Sequence, residues 1–186
     1  MTVGFAVCGS HCTFSQIFPA MEELAKHHTV IPIFSQAAAS TDTRFGSARE
    51  HLQRAEAICG CAPILTVAQA EPIGPRKLLD ALVIAPCTGN TLAKLAHSIA
   101  DSPVTMAAKS HLRNGRPILI GVSTNDALAG AAENIGKLMG RRHYYFIPFG
   151  QDDPIQKPTS MVADFSKLLP ALEAALGGRQ LQPILL

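Results

Sequence analysis

The alternation of short apolar runs with helix-like segments constrains this chain more than any other feature. Residues 82–85 form a continuous apolar run, Leu-Val-Ile-Ala, which is typical of a strand buried on both faces. Pro86 interrupts the run, small polar residues follow as far as Thr91, and apolar residues then recur at helical spacing from Leu92 to Ile99. A strand, turn and helix in this order place a ligand at the carboxyl edge of a parallel sheet. Helix capping alone would also explain the turn over residues 86–91. Whether this turn binds a ligand therefore depends on which other turns lie beside it.

The same pattern recurs along the rest of the chain. We expect strands over residues 3–8, 29–34, 62–67, 80–85, 117–122 and 144–149. A final helix is expected from Ser160 to Leu176. Pro32 favours a bulge or an edge position for the second strand, because proline cannot donate to the ladder. Strands that alternate with helices predict an α/β fold, a doubly wound, mostly parallel sheet with helices on both faces in a flavodoxin- or Rossmann-like three-layer arrangement.

Bulk composition predicts one domain spanning residues 1–186, because 186 residues with 47% apolar content can bury one substantial core. Within it, the polar, proline-bounded segment 150–161 is a candidate mobile lid, and residues 177–186 form a C-terminal tail.

A net charge of +2 with scattered basic residues gives no sign of binding to nucleic acid or an anionic membrane. We see no basic leader and no apolar run near the ~20 residues of a membrane span, and therefore expect a cytoplasmic protein. The five cysteines lack metal or redox spacing, and no metal site is expected.

Four turns of small polar residues follow predicted strands, at Gly9-Ser10, at Ser35, over 86–91 and over 123–125. Right-handed crossovers bring the carboxyl ends of parallel strands to one edge, so we expect these turns to converge. Free backbone N–H groups and hydroxyls near helix starts suit a phosphate, and amide side chains suit a polar ring. The dinucleotide fingerprint and the Walker motif are both absent. The turns predict a ligand that carries a phosphate and a polar ring.

Three of these turns resemble segments of the flavoprotein family of homo-oligomeric FMN-binding proteins, which includes cysteine decarboxylases and flavin prenyltransferases. The family's Pro-Ala-Ser-Ala-Asn-Thr signature is similar to residues 86–91 here, although Cys87 and Gly89 stand where the family has alanine. Its Pro-x-Met-Asn signature survives clearly only at Asn125. The resemblance implies FMN as the cofactor. The residues it implies for FMN binding are Gly9, Ser10, Thr13, Ser35, Thr41, Pro86, Cys87, Thr88, Gly89, Asn90, Thr91, Ser123, Thr124 and Asn125.

A narrower resemblance, to one branch of that family in spore-forming bacteria, rests on six separated motifs. They lie at 9–13, 43–46, 70–75, 123–128, 148–152 and 180–183. The branch implies oxidation of dihydrodipicolinate to dipicolinate in the cytoplasm of the mother cell during sporulation. It also implies an A subunit as partner, NAD(P) supplied through that partner, and a homo-oligomer such as a trimer or dodecamer.

The dicarboxylate substrate needs cations, because paired arginine and carboxylate groups give both charge and orientation. Arg44 is the first candidate and Lys157 the second, while Glu71 is the nearest candidate for a general base. The histidine that decarboxylase relatives carry before the fourth strand is missing from residues 67–77. Two alternatives stay open: a non-catalytic subunit that binds FMN or substrate, and a flavin-dependent decarboxylase or prenyltransferase.

Overall fold

A computed structural model describes all 186 residues. The seven strands are β1 Thr2–Val7, β2 Thr29–Phe34, β3 Ala81–Cys87, β4 Ile118–Thr124, β5 Tyr144–Phe146, β6 Phe149–Gly150 and β7 Met161–Ala163. The eight α-helices are α1 Phe14–His27, α2 Gln36–Ser40, α3 Ala48–Cys59, α4 Val67–Ala70, α5 Gly89–Ala96, α6 Pro103–Leu112, α7 Ala132–Met139 and α8 Leu168–Leu176. Single turns of 3₁₀ helix occupy His11–Thr13, Glu71–Ile73 and Phe165–Lys167.

Strands β2, β1, β3 and β4 pair in that order and in parallel, and β5 extends the parallel sheet along the first half of β4. The carboxyl end of β4 pairs instead with β7, antiparallel, and β7 pairs with β6. Right-handed crossovers place α1 on one face of the sheet and α5 and α6 on the other. Helix α8 packs on β3, β4 and β5, and α7 packs on β5 and α5. The predicted doubly wound, mostly parallel α/β fold is confirmed.

The strands form because their residues are buried on both faces of the sheet. All seven residues of β3 are buried, and one continuous cluster of 47 buried hydrophobic residues includes members of every strand. Strand β2 lies at the edge of the sheet, as Pro32 predicted, and the N–H of Ile64 donates to the Pro32 carbonyl there. None of the helices is both long and apolar enough to cross a bilayer.

Two of the predicted elements are wrong. Residues 62–67 form no strand, because Ile64 makes only an isolated bridge to Ile33 before Thr66 caps α4. Ser160 does not begin a helix, because residues 161–163 complete the hydrogen bonding of β4 as strand β7. The predicted strand over 144–149 is divided into β5 and β6, since Pro148 has no N–H to donate. Strand β3, in contrast, continues through Pro86 to Cys87.

The terminal segment and the loop over 150–161 both lie beside β6. Phe149 donates its N–H to the Ile184 carbonyl, and Leu186 donates to the Phe149 carbonyl, so the C-terminal tail runs along this strand. In the 150–161 segment, the Gln151 amide donates to the Pro158 carbonyl at 2.8 Å. Mobility of this loop stays a prediction.

Replacing Gly74 with alanine is expected to lower the free energy of unfolding by about 2 kcal/mol, because overpacking a tight contact strains the backbone. A Cβ at Gly74 would lie 2.5 Å from the Ser110 carbonyl oxygen of α6, and neither backbone can move freely. Urea unfolding checks the effect. Gly136→Ala in α7, where nothing lies within 4 Å of the added Cβ, serves as the control and should not destabilise the protein. Equal midpoints for the two variants would contradict the expectation.

Candidate functional site

A cleft of about 740 Å³ opens at the carboxyl edge of the parallel sheet. That volume is within the range of pockets that hold cofactors and other small molecules. Its lining residues come from the segments that follow β1, β2, β3 and β4, and from the loop before β7. They are Gly9, Ser10, His11, Cys12, Thr43, Phe45, Thr88, Gly89, Asn90, Ser123, Thr124, Asn125, Asp126, Asp152, Lys157, Ser160 and Val162.

Three of the four polar turns meet in this cleft. The hydroxyl oxygens of Ser10 and Ser123 lie 2.7 Å apart, which joins the turn after β1 to the end of β4. Thr88 and Asn90 lie between them in the sheet order, at the start of α5. The fourth turn is not part of the lining, and its Ser35 hydroxyl accepts the Ala38 N–H at 3.3 Å as the cap of α2. All four turns therefore lie at the carboxyl edge of the sheet, and three of them line the cleft.

Cys87 and Thr91, next in sequence to the cleft residues Thr88 and Asn90, are buried behind the cleft lining. Thr88 accepts the Thr91 N–H and caps α5, and the Thr91 hydroxyl donates to the Cys8 sulfur at 3.3 Å. Cys87 is fully buried, and this burial raises the pKa of its thiol well above the ordinary value. Cys87 is therefore a neutral packing group. Together with Pro86 and Thr91 it lies outside the cleft lining.

Gly89 keeps one wall of the cleft open. A Cβ at this position would lie 2.8 Å from Asp126 Oδ1 and 2.9 Å from Thr124 Oγ1. Those two atoms are themselves hydrogen-bonded at 2.5 Å, with the Thr124 hydroxyl donating to the carboxylate. The absence of a side chain at Gly89 leaves both polar groups accessible from the cleft.

The opposite wall carries a charged pair on the loop before β7. Lys157 Nζ lies 3.1 Å from Asp152 Oδ2. Desolvation raises the pKa of Asp152, but hydrogen bonds with Ser160 and Lys157 outweigh that effect and hold the pKa below its usual range. The hydrogen bond to Asp152 raises the pKa of Lys157. This wall therefore presents one cation and one anion to the cleft.

The remaining predicted site residues lie around the cleft or away from it. The buried Thr13 donates its hydroxyl to the Ser10 carbonyl at 2.8 Å and so supports the first turn. Thr41 is exposed at the end of α2. Arg44 lies over the ring of Phe45, 4.8 Å from its centroid, and is not in the lining. Glu71 is exposed in the 3₁₀ turn that packs on α6, and it too lies outside the lining.

Sequence reasoning did not assign a role to four polar groups of the cleft: His11, Thr43, Asp126 and Asp152. All four fall inside the motifs at 9–13, 43–46, 123–128 and 148–152, so the signal was present. Ser160 and Val162 were missed because their strand was predicted to be a helix. No group of three or more His, Cys, Asp or Glu side chains is arranged to hold a metal ion.

Comparison with known proteins identifies the class. The Flavoprotein family model matches residues 1–157, and the chain therefore belongs to that family. It is 47% identical over 184 residues to the B subunit of dipicolinate synthase from Bacillus subtilis (strain 168), covering 98% of this chain and 92% of that protein. The narrower resemblance seen in the six motifs is confirmed.

Solved structures similar to this chain include another dipicolinate synthase B subunit and a protein that shares the fold. The crystal structure of the dipicolinate synthase B subunit from Bacillus halodurans C has a TM-score of 0.91 at 45% identity, covering 100% of this chain and 95% of that one. Burkholderia xenovorans DmrB, solved in complex with FMN and described as a cubic protein cage for redox transfer, has a TM-score of 0.68 at 18% identity. That alignment covers 95% of each chain and shows the shared fold.

Proposed function

We propose that this chain binds FMN in the cleft and acts as the B subunit of a dipicolinate synthase. In this role it would oxidise dihydrodipicolinate to dipicolinate in the mother cell of a sporulating bacterium. The observation that carries the proposal is the convergence of three polar turns on one cleft, in a chain so similar to the Bacillus subtilis protein. A partner A subunit, which the name of that relative implies, and NAD(P) supplied through it are part of the proposal.

The cleft fits FMN in size and in chemistry. A Cβ at Gly89 would meet Asp126 and Thr124, which line the cleft, whereas a Cβ at Gly9 would meet Ala37 of α2, so Gly9 allows close packing of the first turn on that helix. We assign the phosphate to the Gly9-Ser10 turn, where a hydroxyl and backbone N–H groups meet near the start of α1. Asn90 and Asn125 supply amide groups for the polar edge of a ring. FMN, when bound, supplies a hydride acceptor.

The chain itself must hold the substrate and accept a proton. Two carboxylates line the cleft, and Asp152 is paired with Lys157, whereas Asp126 has no cationic partner. We therefore assign the proton acceptor to Asp126 in place of Glu71, which lies outside the lining. Lys157 is the cation within the lining that contributes to orienting a dicarboxylate.

We also propose that the protein is a homo-oligomer, a trimer or a dodecamer, in which neighbouring protomers cover the rim of the cleft. Three exposed apolar side chains lie on segments that contribute lining residues: Phe45 at 43% exposure, Leu128 at 51% and Ile155 at 85%. Exposed apolar groups gathered around a polar site are typical of an interaction surface.

Anaerobic reduction tests the reaction. The chain, purified alone and loaded with FMN, is expected to lose its oxidised-flavin absorbance when dihydrodipicolinate is added without the A subunit. Release of dipicolinate in equal amount confirms that the electrons came from the substrate. Persistent flavin colour with tight substrate binding would favour the alternative, a non-catalytic support subunit. Release of CO₂ in place of dipicolinate would favour the decarboxylase alternative.

A further inference from the structure

The Asp126 carboxylate is held by one neighbouring side chain at the end of β4. The Thr124 hydroxyl donates to Asp126 Oδ1 at 2.5 Å, a length typical of a hydroxyl bonded to an ionised carboxylate. Both side chains line the cleft and are partly exposed there. Asp126 has no cationic partner, so the Thr124 hydroxyl is the donor that stabilises its charge.

The backbone of both residues is fixed. Thr124 is the last residue of β4 and pairs with Met161 of β7. The Asp126 carbonyl accepts the N–H groups of Ala129 and Ala131, at 2.9 and 3.1 Å, and these bonds hold the turn that follows the strand. Because both ends of the hydrogen bond start from a fixed backbone, it restricts the carboxylate group to one orientation.

The two oxygens of this carboxylate have different surroundings. Oδ1 accepts the Thr124 hydroxyl and would lie 2.8 Å from a Cβ at Gly89. Oδ2 accepts no hydrogen bond inside the protein and remains in contact with solvent. A Cβ at Gly130 would lie 3.4 Å from Oδ2, so this exposed glycine leaves the oxygen uncovered. Oδ2 is therefore the oxygen that is free to take a proton.

The other titratable side chains of the cleft lie on two separate segments. His11 and Cys12 follow β1, and Asp152 and Lys157 lie on the loop before β7, where they pair with each other at 3.1 Å. The titratable side chains of α5 and α7 lie outside the lining. Asp126 is the hydrogen-bond partner of the Thr124 hydroxyl, so removing that hydroxyl breaks no contact of these other groups.

We propose that Thr124 is a positioning residue, which holds Asp126 ionised and presents Oδ2 to the proton that the substrate releases. The assignment rests on the proposed function, with Asp126 as the proton acceptor. In that reaction the dihydropyridine ring gives a hydride, with its two electrons, to FMN and a proton to Oδ2, which leaves an aromatic ring and a neutral Asp126. A hydrogen bond to the ionised form of a carboxylic acid favours that form, and a fixed orientation favours the transfer.

Anaerobic single-turnover reduction of FMN by dihydrodipicolinate, measured across pH at saturating FMN, tests this role in the full-length protein. We expect the wild-type rate to fall at acid pH as Asp126 becomes protonated, and Asp126→Asn should lower the rate at least a hundredfold. Thr124→Val should move the acid limb about 1 unit to higher pH, because one hydrogen bond to a charged group is lost. Valine is favoured in strands, so the fold should be kept. Thr124→Ser retains the hydroxyl and should restore the wild-type limb.

Thr159→Val is the matched control. The Thr159 hydroxyl also donates a hydrogen bond beside the cleft, to the Asn125 carbonyl at 2.7 Å, but it does not contact the Asp126 carboxylate. This variant should leave the acid limb at the wild-type pH. Carbon-13 NMR titration of the Asp126 carboxyl gives the same comparison without catalysis. The midpoint should lie about 1 pH unit higher in Thr124→Val than in the wild-type protein or Thr124→Ser.

Equal acid limbs and equal carboxyl midpoints in wild-type and Thr124→Val protein would overturn the role of Thr124. An Asp126→Asn variant that reduces flavin at the wild-type rate would also overturn it, by removing the proton acceptor, but dipicolinate would still form and the proposed function would stand. If the wild-type protein does not reduce flavin with this substrate, the proposed function fails. The NMR midpoints would then still decide whether Thr124 holds Asp126 ionised.

Discussion

Gly89→Val is expected to weaken FMN binding at least a hundredfold, a loss of about 2.7 kcal/mol, while leaving the fold intact. The valine Cβ would lie within 3 Å of Asp126 Oδ1 and Thr124 Oγ1, and both of these cleft-lining groups would have to move. Gly89 is the first residue of α5, and Thr88 still caps the helix, so stability should change little.

Quenching of flavin fluorescence measures this affinity, and far-UV circular dichroism confirms that the variant is folded. Gly136→Ala is the control, because its added methyl group lies on α7 in open space. Threefold or smaller loss of FMN affinity in folded Gly89→Val would remove Gly89 and its two polar neighbours from the flavin site.

Acid is expected to remove about 3 kcal/mol of stability through His111 alone. Its side chain is fully buried, and burial lowers its pKa from the ordinary value of 6.5 to about 4. Nε2 lies 3.1 Å from the Pro117 carbonyl oxygen, which can only accept, so the neutral ring carries its proton on Nε2. Between pH 6.5 and 4 the unfolded chain binds a proton there that the folded protein does not. The stability that the neutral His111 ring contributes is therefore complete above pH 6.5 and is lost as the pH falls towards 4.

Urea unfolding at pH 7 and pH 4 measures this contribution by comparison with His111→Gln. Glutamine can still donate to the Pro117 carbonyl but does not titrate, so the variant should lose about 3 kcal/mol less than the wild-type protein over this interval. His97→Gln, at an exposed histidine, is the matched control and should follow the wild type. Identical pH dependence in wild-type and His111→Gln protein would show that His111 titrates normally in the fold.

The parallel half of the sheet was predictable because β1, β2, β3 and β4 are largely buried on both faces and read as continuous apolar runs. Since parallel strands share one carboxyl edge, the meeting of Ser10 with Ser123 followed from the same reasoning. The capping box that Ser47 and Glu50 form at the start of α3 depends only on residues three apart, and so local a contact can be read from sequence.

Features set by distant contacts were not predictable. Strand β7 has three residues, too few to show an alternating pattern, and it exists because Ser123 and Thr124 need partners. The apolar spacing of Val162, Phe165 and Leu168 continues smoothly into α8 and therefore imitates a longer helix.

The roles of charged residues in the site were also hidden in the sequence. Arg44 and Arg54 look equivalent along the chain, and each lies 4.8 Å from the centroid of a phenylalanine ring, but Arg54 lines a pocket of about 210 Å³ beside the cleft and Arg44 does not. His51 lies within an amphipathic helix beside inward-facing residues, and nothing local indicates that its Nε2 is buried without a partner. Glu71 was chosen by its position in the chain, and the fold places it away from the cleft.

Equilibrium titration of the purified protein with FMN and with riboflavin is the sharpest test of the cofactor assigned to the cleft. We predict saturable binding of about one FMN per chain with a Kd below about 10 μM. Riboflavin should bind at least tenfold more weakly, because it lacks the phosphate assigned to the Gly9-Ser10 turn. Failure to bind FMN in a folded, correctly assembled protein would contradict the proposed cofactor and, with it, the function assigned to the cleft.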